Sequence, residues 1–344
     1  MNLLVTVAGA VLLGSLAISC PGAPDPGLPP AVAASQATAL VHQSRQGGGS
    51  RMLEKAVEIL APWQTCADVP VDIRLARATL SQSLHRFEAA LGDLDAVVRE
   101  DPQNGQAWLT KLAVHLVLGQ YPEAAGAVDR LPSSLPPLVR VTAEVSVQRV
   151  AGDANRCYES LAASLAKSSA ISPTIRCWSA TLLAEIAVQL NRPDQARELF
   201  EEGLAANPSD HYTRVAYAEF LLDRNRREDV RQLVAATPNP SPDLRLLASL
   251  ATGTEADATE LHGAMLSRYQ LATGKLEQAL ATAALNWRLQ KEPRDAKALM
   301  DAALAADLPQ AALPVLEWVR QTGIRHAELN PLVLALRRQL ARSQ

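Results

Sequence analysis

Aromatic residues are scarce in this chain of 344 residues, because Phe, Trp and Tyr together make up only 4% of it. Strands favour aromatic and β-branched residues, so this scarcity argues against an all-β fold. The apolar residues amount to 48% and are mainly Ala, Leu and Val. That share is enough to build a core and excludes wholesale disorder. The composition therefore favours a helical fold.

An excess of charge of one sign is also missing. Lys and Arg number 33 and Asp and Glu number 36, which gives a formal net charge of −3. Proteins that bind nucleic acid or anionic membrane surfaces through a basic footprint need the opposite balance. The sequence therefore predicts that nucleic acid is not a partner.

Motifs of common catalytic and metal sites are absent from the sequence. The six His are spread along the chain, and there is no H-E-x-x-H, G-x-S-x-G, Walker A or G-x-G-x-x-G pattern. Glu198, Glu201 and Glu202 are interleaved with Arg197, which is typical of a solvated helix face rather than of an acid–base pair in a cleft. We therefore expect a non-enzymatic protein without a cofactor or a metal ion.

The first nineteen residues carry no charged side chain. This apolar run is rich in small residues and shorter than the roughly 20 residues of a transmembrane helix, so it fits a secretory signal peptide over 1–19. The sequence LAISC that ends at Cys20 resembles the lipobox of bacterial lipoproteins. The resemblance implies cleavage before Cys20 and attachment of a diacylglyceryl group to its sulfur through a thioether. Since Pro21 rather than Asp follows, it further implies an outer-membrane lipoprotein facing the periplasm. The alternative is an ordinary or uncleaved signal peptide in which Cys20 has no role.

A proline-rich stretch follows the leader. Residues 21–35 contain five prolines, and such chain favours an extended conformation that resists packing. Residues 20–35 are therefore predicted to tether the lipid anchor to the folded body. The alternative is a disordered leader without an anchor.

Small residues recur at intervals of 33 or 34 residues in the rest of the chain. The pairs are Ala90 and Ala124, Ala124 and Cys157, Ala196 and Val230, and Ala279 and Ala312. Residues that tolerate the left-handed conformation, and so end helices, precede several of them: Gly119, Gly152, Asn191, Asn225 and Gly274. This periodicity predicts a tandem array of helix hairpins.

The repeat pattern resembles the tetratricopeptide repeat (TPR), a helix-turn-helix unit of 34 residues. In residues 105–138, Trp108 takes the early aromatic position and GQYPEA over 119–124 resembles the turn between the two helices. The units at 71–104, 177–210, 211–244, 260–292 and 293–326 are similar, 138–176 is looser, and 241–259 is irregular. The resemblance implies an all-α, right-handed superhelical solenoid with a concave inner surface. We expect a degenerate first unit at 36–66, repeats over 67–326 and a capping helix at 327–344.

Three cysteines lie in the repeat region. Cys157 and Cys177 are expected near opposite ends of antiparallel helices, offset by about 15 Å, whereas a disulfide needs Cα atoms within about 7 Å. Cys157 also takes a position that is Ala in other units. Both are therefore predicted to be small packing residues. Cys66 lies in a predicted loop, and its redox state stays open.

In TPR proteins the first helix of each repeat lines the concave groove. The residues at the corresponding positions here are Gln106, Leu109, Ala113, Leu116 and Val117 in one unit, Trp178, Thr181 and Glu185 in another, and Tyr212, Val215 and Glu219 in a third. The first set is mainly apolar and the others add carboxylates. A complementary partner is a peptide segment or amphipathic helix with an apolar half and a basic half. The alternative is that the superhelix or the N-terminal segment covers these apolar side chains.

The sequence therefore predicts a non-enzymatic scaffold or adaptor of the bacterial cell envelope, bound to the membrane only by its lipid anchor. The alternative is an envelope enzyme built on a helical solenoid, such as a peptidoglycan lyase. That alternative needs a catalytic domain, and the repeats occupy nearly all of 71–326.

Overall fold

A computed structural model describes residues 28–45, 49–64 and 68–342. The predicted signal peptide, Cys20, Cys66 and most of the tether lie outside the described residues. All regular secondary structure in these ranges is helical, and the helices form two compact units. Each unit is built from consecutive helix hairpins, which confirms the predicted all-α solenoid class.

The two units divide the helices between them. The N-terminal unit (residues 28–115 and 122–135) contains α1 (Pro30–Gln43), α2 (Ser50–Leu60), α3 (Val71–Ser83), α4 (Phe87–Glu100) and most of α5 (Gly105–Leu118) and α6 (Tyr121–Asp129). The C-terminal unit comprises residues 116–121 and 136–342, and it includes the last turn of α5. All the following helices also belong to it: α7 (Pro137–Ala151), α8 (Ala154–Lys167), α9 (Pro173–Gln189), α10 (Pro193–Ala206), α11 (His211–Asp223), α12 (Arg227–Ala235), α13 (Pro242–Thr252), α14 (Gly263–Ala272), α15 (Leu276–Leu289), α16 (Pro293–Ala305), α17 (Leu313–Thr322) and α18 (Leu329–Arg342). None of the helices in the described ranges is long and apolar enough to cross a membrane.

The first helix begins earlier than the sequence predicted. The prediction of an unpacked tether over 20–35 is wrong for residues 30–35, which form the first turns of α1. Pro30 occupies the first helical turn, where its missing N–H costs nothing. Ala33 and Ala34 are buried where α1 packs on α2 and α3. An Ala-rich segment with good helix propensity and a buried face therefore overrides the local proline content.

All five residues expected to end helices lie in turns between paired helices, and four of them are left-handed. Asn191 and Asn225 both have φ of 57°, and Gly119 and Gly274 have φ of 72° and 76°. Gly152 also ends its helix, α7, but it is extended, at φ −109° and ψ −167°. Only two residues separate α7 from α8, and the second of them caps α8 with its side chain.

Small residues lie at the tight helix crossings, as predicted. Ala184 in α9 and Ala196 in α10 are both fully buried, and these two helices pack closely along their length. The Phe200 ring stacks on the Tyr217 ring of α11, with 5.4 Å between their centroids. An alanine at the crossing therefore lets the backbones approach while the aromatic rings fill the space toward the next helix.

The cysteines Cys157 and Cys177 also lie at packing positions. Both are buried and reduced in the structure. The Cys177 Sγ lies 3.3 Å from the Thr213 hydroxyl of α11, and burial raises the pKa of the Cys177 thiol to about 11. A thiol with a raised pKa is a poor nucleophile, which agrees with the predicted packing role.

The segment 241–259 is more regular than predicted. Residues 242–252 form α13, which begins where the Leu244 N–H donates to the Ser241 hydroxyl at 3.3 Å. Leu244, Leu246 and Leu247 are fully buried. The prediction of an irregular segment is therefore wrong here, because a capped helix start and a buried leucine face do not need the repeat register.

The predicted C-terminal helix is present as α18. Leu329, Val333 and Leu336 are buried in the cluster that also contains Trp287 and Trp318. The Trp318 Nε1–H donates to the Tyr121 hydroxyl at 2.9 Å. This helix therefore covers the apolar face of α16, against which it packs.

Candidate functional site

The C-terminal unit encloses a pocket of about 520 Å³. Its walls come mainly from the helices α9, α11, α14 and α16 and from the segment that precedes α18, and α7 and α10 contribute one residue each. The apolar lining includes Val188, Phe200, Phe220 and Leu271. The charged lining consists of six carboxylates and four basic side chains: Glu185, Glu219, Asp223, Glu292, Asp301 and Glu328, and Arg149, Arg268, Arg294 and Lys297. A volume of this size lies within the range of about 300–1,000 Å³ that is typical of ligand pockets.

The repeat register explains two of the carboxylates. Glu185 in α9 and Glu219 in α11 are 34 residues apart, so they occupy the same position in successive repeats. Equivalent positions lie side by side on one face of stacked repeats. Both residues line the pocket.

Glu185 is held by two partners. The Arg149 Nη1 of α7 lies 2.7 Å from the Glu185 Oε2, and the Tyr212 hydroxyl donates to the Glu185 Oε1. Burial, followed by the charge of Glu185, raises the pKa of Tyr212 well above 10. Tyr212 therefore stays protonated and acts as a hydrogen-bond donor at neutral pH.

A second group of charges joins α11 to α14 and α16. The Arg268 Nη2 lies 2.6 Å from the Asp223 Oδ1, and the Lys297 Nζ lies 2.9 Å from the Asp301 Oδ2. Glu219 is less tightly bound, since its carboxylate is 3.7 Å from Arg294 and 4.0 Å from Arg268. The carboxylates expected to meet a basic partner are therefore already balanced by basic residues of the same unit.

Residues 323–328, which we call the strap, connect α17 to α18 and form one side of the pocket. The Gln189 Nε2–H donates to the Arg325 carbonyl at 2.9 Å, and the Ala327 N–H donates to the Gln189 carbonyl at 3.0 Å. The Arg224 Nη1 pairs with the Glu328 Oε1 at 3.2 Å. The strap is therefore fixed to α9 and α11.

His326 lies in the strap and lines the pocket. Its Nδ1 accepts a hydrogen bond from the Glu328 N–H at 3.2 Å. Burial and the nearby charges of Arg149 and Lys297 lower the pKa of His326 to about 4. The imidazole is therefore neutral at physiological pH.

Three of the predicted groove residues meet in this pocket: Glu185, Tyr212 and Glu219. Trp178, Thr181 and Val215 are buried and do not line it. The Thr181 hydroxyl lies 2.6 Å from the Thr213 hydroxyl, between α9 and α11. Trp178 and Thr181 are covered because α9 is buried around most of its circumference.

The predicted groove residues of α5 lie elsewhere. Leu116 and Val117 are buried at the end of the helix, where the Val117 carbonyl accepts from the Lys291 N–H at 2.8 Å. Leu109 and Ala113 are buried too, and they belong to the N-terminal unit. Gln106, also in that unit, donates to the Thr110 hydroxyl at 3.3 Å. The apolar positions of α5 are therefore core residues.

Sequence reasoning missed the basic residues of the pocket. Arg268, Arg294 and Lys297 stand on α14 and α16, many residues after the carboxylates they face. Their repeat positions do not predict these contacts, because the contacts depend on how the hairpins curve around the pocket.

Within the described ranges, no group of three His, Cys, Asp or Glu side chains is placed to hold a metal ion. Burial and the neighbouring Glu292 raise the pKa of Asp295 to about 6. Its carboxylate accepts from the Asn286 amide at 2.8 Å and from the Glu292 N–H at 3.1 Å. Asp295 therefore serves to cap the start of α16.

Two segments match family models described as tetratricopeptide repeat, namely residues 75–137 and 187–252. No curated protein is detectably similar to the chain in sequence. Among solved structures, the chain is similar to one in the APC/C hetero-tetramer Cut9–Hcn1, with 13% identity and a TM-score of 0.35 over 83% of this chain. It spans 59% of that chain. It is also similar to the P58(IPK) TPR domain, with 14% identity and a TM-score of 0.24, over 90% of this chain and 99% of that one.

The match over 187–252 includes the last three residues of α9, among them Val188 of the pocket, and all of α11. Tetratricopeptide repeats are interaction modules, and proteins built from them are typically non-catalytic scaffolds. Residues 75–137 and 187–252 are therefore similar to tetratricopeptide repeats.

Proposed function

We propose that the protein is a non-catalytic scaffold of the bacterial cell envelope that binds a segment of a protein partner in the pocket of the C-terminal unit. The observation that carries this proposal is the pocket itself, which is walled by repeat helices and lined by both apolar and charged side chains. Apolar contact would supply most of the affinity, and the charged groups would set orientation and association rate.

The location in the envelope rests on the N-terminal sequence alone. The apolar leader, the LAISC sequence and the following prolines support an acylated Cys20 and a mature chain on the periplasmic face of the outer membrane. Several acyl chains anchor a protein stably, whereas a single chain gives only marginal binding. The assembly or stabilisation of an envelope complex is the role that this combination favours.

The proposal is tested by capture from detergent-solubilised envelope with a bait whose pocket is blocked. Ala272 is exposed on the pocket wall, so Ala272→Trp narrows the pocket without disturbing the core. Gln232 is exposed on α12 and does not line the pocket, which makes Gln232→Trp the matched control.

We expect the wild-type bait and Gln232→Trp to retain one stoichiometric partner and Ala272→Trp to lose it. Retention of the partner by Ala272→Trp, with loss by a variant of an outward-facing helix such as Arg197→Glu, would show that the outer surface is the binding surface.

A further inference from the structure

Glu219 and Arg294 face each other from α11 and α16 inside the pocket. The Arg294 Nη1 and the Glu219 Oε2 are 3.7 Å apart, which is an ion pair but not a hydrogen bond. Neither side chain forms a hydrogen bond to any other described residue. The side chains are 35% and 21% exposed, respectively, so both remain accessible from the pocket.

Four other charged groups of the pocket are paired with one another, and one of them, Arg268, also lies 4.0 Å from Glu219. Asp223 is bound by Arg268 at 2.6 Å, and Lys297 is bound by Asp301 at 2.9 Å. A carboxylate offers about four acceptor sites and a guanidinium offers five donors. The Glu219–Arg294 pair therefore presents an acceptor and several donors side by side with capacity for a ligand.

The charges of this pair determine which ligand group fits. An ammonium group alone would be attracted by Glu219 and repelled by Arg294, and a carboxylate alone would experience the reverse. A neutral group with a donor and an acceptor side by side satisfies both. One residue of an extended polypeptide has this arrangement, because its N–H and C=O point to the same side, as in a hydrogen-bonded pair of an antiparallel ladder.

We infer that Glu219 and Arg294 form a clamp for the main chain of one residue in an extended segment of the partner. Glu219 accepts a hydrogen bond from the N–H of that residue, and Arg294 donates to its C=O. The inference rests on the proposed function, because it requires that the pocket holds a protein segment.

The apolar wall fits the side chains of such a segment. Phe200, Phe220 and Leu271 line the same pocket as the clamp. Successive side chains of an extended chain point to opposite sides, so alternate side chains can contact this wall while the main chain stays on the clamp. Recognition by main-chain groups tolerates many sequences, which suits a scaffold that selects partners by an apolar pattern.

The clamp is tested with a library of capped nonapeptides of random sequence, applied to the full folded chain. The tightest binder is labelled, and its affinity is measured by fluorescence anisotropy after each amide is N-methylated in turn. We expect one position at which methylation weakens binding to the wild-type chain by about tenfold or more, because a hydrogen bond to a charged group is lost. In Glu219→Ala the same methylation should change the affinity by less than twofold.

Two further variants complete the design. Arg294→Ala should lower the affinity for the unmethylated peptide by a similar factor. The matched control is the exposed pair on α12, Arg231 and Glu228, whose side chains are 2.8 Å apart; Glu228→Ala and Arg231→Ala should leave binding unchanged. Circular dichroism and thermal melting establish that every variant is folded.

Three results would overturn the clamp. These are the absence of any binding peptide, a methylation scan without a sensitive position, and equal sensitivity in the wild-type chain and in Glu219→Ala. The result of the capture experiment with Ala272→Trp does not depend on any of these three results. Failure of the clamp is therefore distinguishable from failure of the proposed function.

Discussion

Arg149 of α7 and Glu185 of α9 form an ion pair with 2.7 Å between Nη1 and Oε2, and it connects two successive repeats at the pocket wall. The side chains are only 10% and 17% exposed, so the pair is largely desolvated. Breaking such a pair from one side leaves an uncompensated charge. The same carboxylate that faces the pocket therefore also stabilises the wall.

Glu185→Ala is expected to destabilise the C-terminal unit by about 2–3 kcal/mol, because Arg149 would lose its partner while remaining buried. The measurement is urea unfolding followed by circular dichroism. Glu228→Ala removes an exposed ion pair and is expected to change the free energy of unfolding by less than about 1 kcal/mol. Equal effects of the two substitutions would show that the Arg149–Glu185 pair is not a structural contact.

Ala196→Trp is expected to destabilise the chain by about 1–3 kcal/mol or more, because an indole cannot fit at the α9–α10 crossing without separating the helices. Since repeats depend on their neighbours, hydrogen exchange should increase mainly over residues 177–244. Ala205→Trp on the exposed side of the same helix is the control and should be nearly neutral. A similar small effect at Ala196 would contradict the tight crossing.

The contribution of His326 to the stability of the C-terminal unit should fall as the pH falls from about 6.5 to about 4. The pKa of His326 is lowered to about 4 in the folded chain, whereas an unfolded His titrates near 6.5. The unfolded state therefore binds more protons in this window, and stability rises with pH across it, by up to about 3 kcal/mol.

His326→Asn should remove this dependence while keeping an acceptor for the Glu328 N–H. Asp295, whose pKa is raised to about 6, acts in the opposite sense, since its contribution is lost as the pH rises from about 4 to 6. The informative quantity is therefore the difference in free energy of unfolding between the wild-type chain and His326→Asn. A difference that is constant from pH 4 to 7 would contradict the buried neutral imidazole.

Cys20 is expected to carry acyl chains at the N-terminus of the mature protein. Mass spectrometry of protein purified from membranes should show a lipid-modified N-terminal Cys20, and Cys20→Ser should release the chain from the membrane. Recovery of Met1, or of an unmodified start at another residue, would contradict the lipoprotein assignment.

Much of the fold could be predicted from the sequence because the features that determine it are properties of single residues. Asn191 and Asn225 end helices through their own backbone conformation, and Ala196 marks a crossing through its size. The start of α1 at Pro30 could not be predicted in the same way, since it depends on the burial of Ala33 and Ala34 against α2 and α3. Tertiary packing overrode the local proline signal there.

The site was predictable only in part, for a related physical reason. The 34-residue register placed Glu185 and Glu219 together, but it also suggested Leu109 and Leu116 as groove residues that are in fact buried. Asp at either position is expected to destabilise the chain, because it would bury a carboxylate without a partner. Arg294 faces Glu219 only because separate hairpins curve toward one pocket, and no spacing in the sequence encodes that curvature.

The role of the pocket as a partner site is tested most directly by a photoreactive amino acid placed at Ala216 or Ala298 of the pocket wall in living cells, with Gln232 as the outward-facing control. We predict one discrete cross-linked species from each pocket position and none from the control. Cross-links from Gln232 alone, or no cross-link from either pocket position, would contradict partner binding in the pocket.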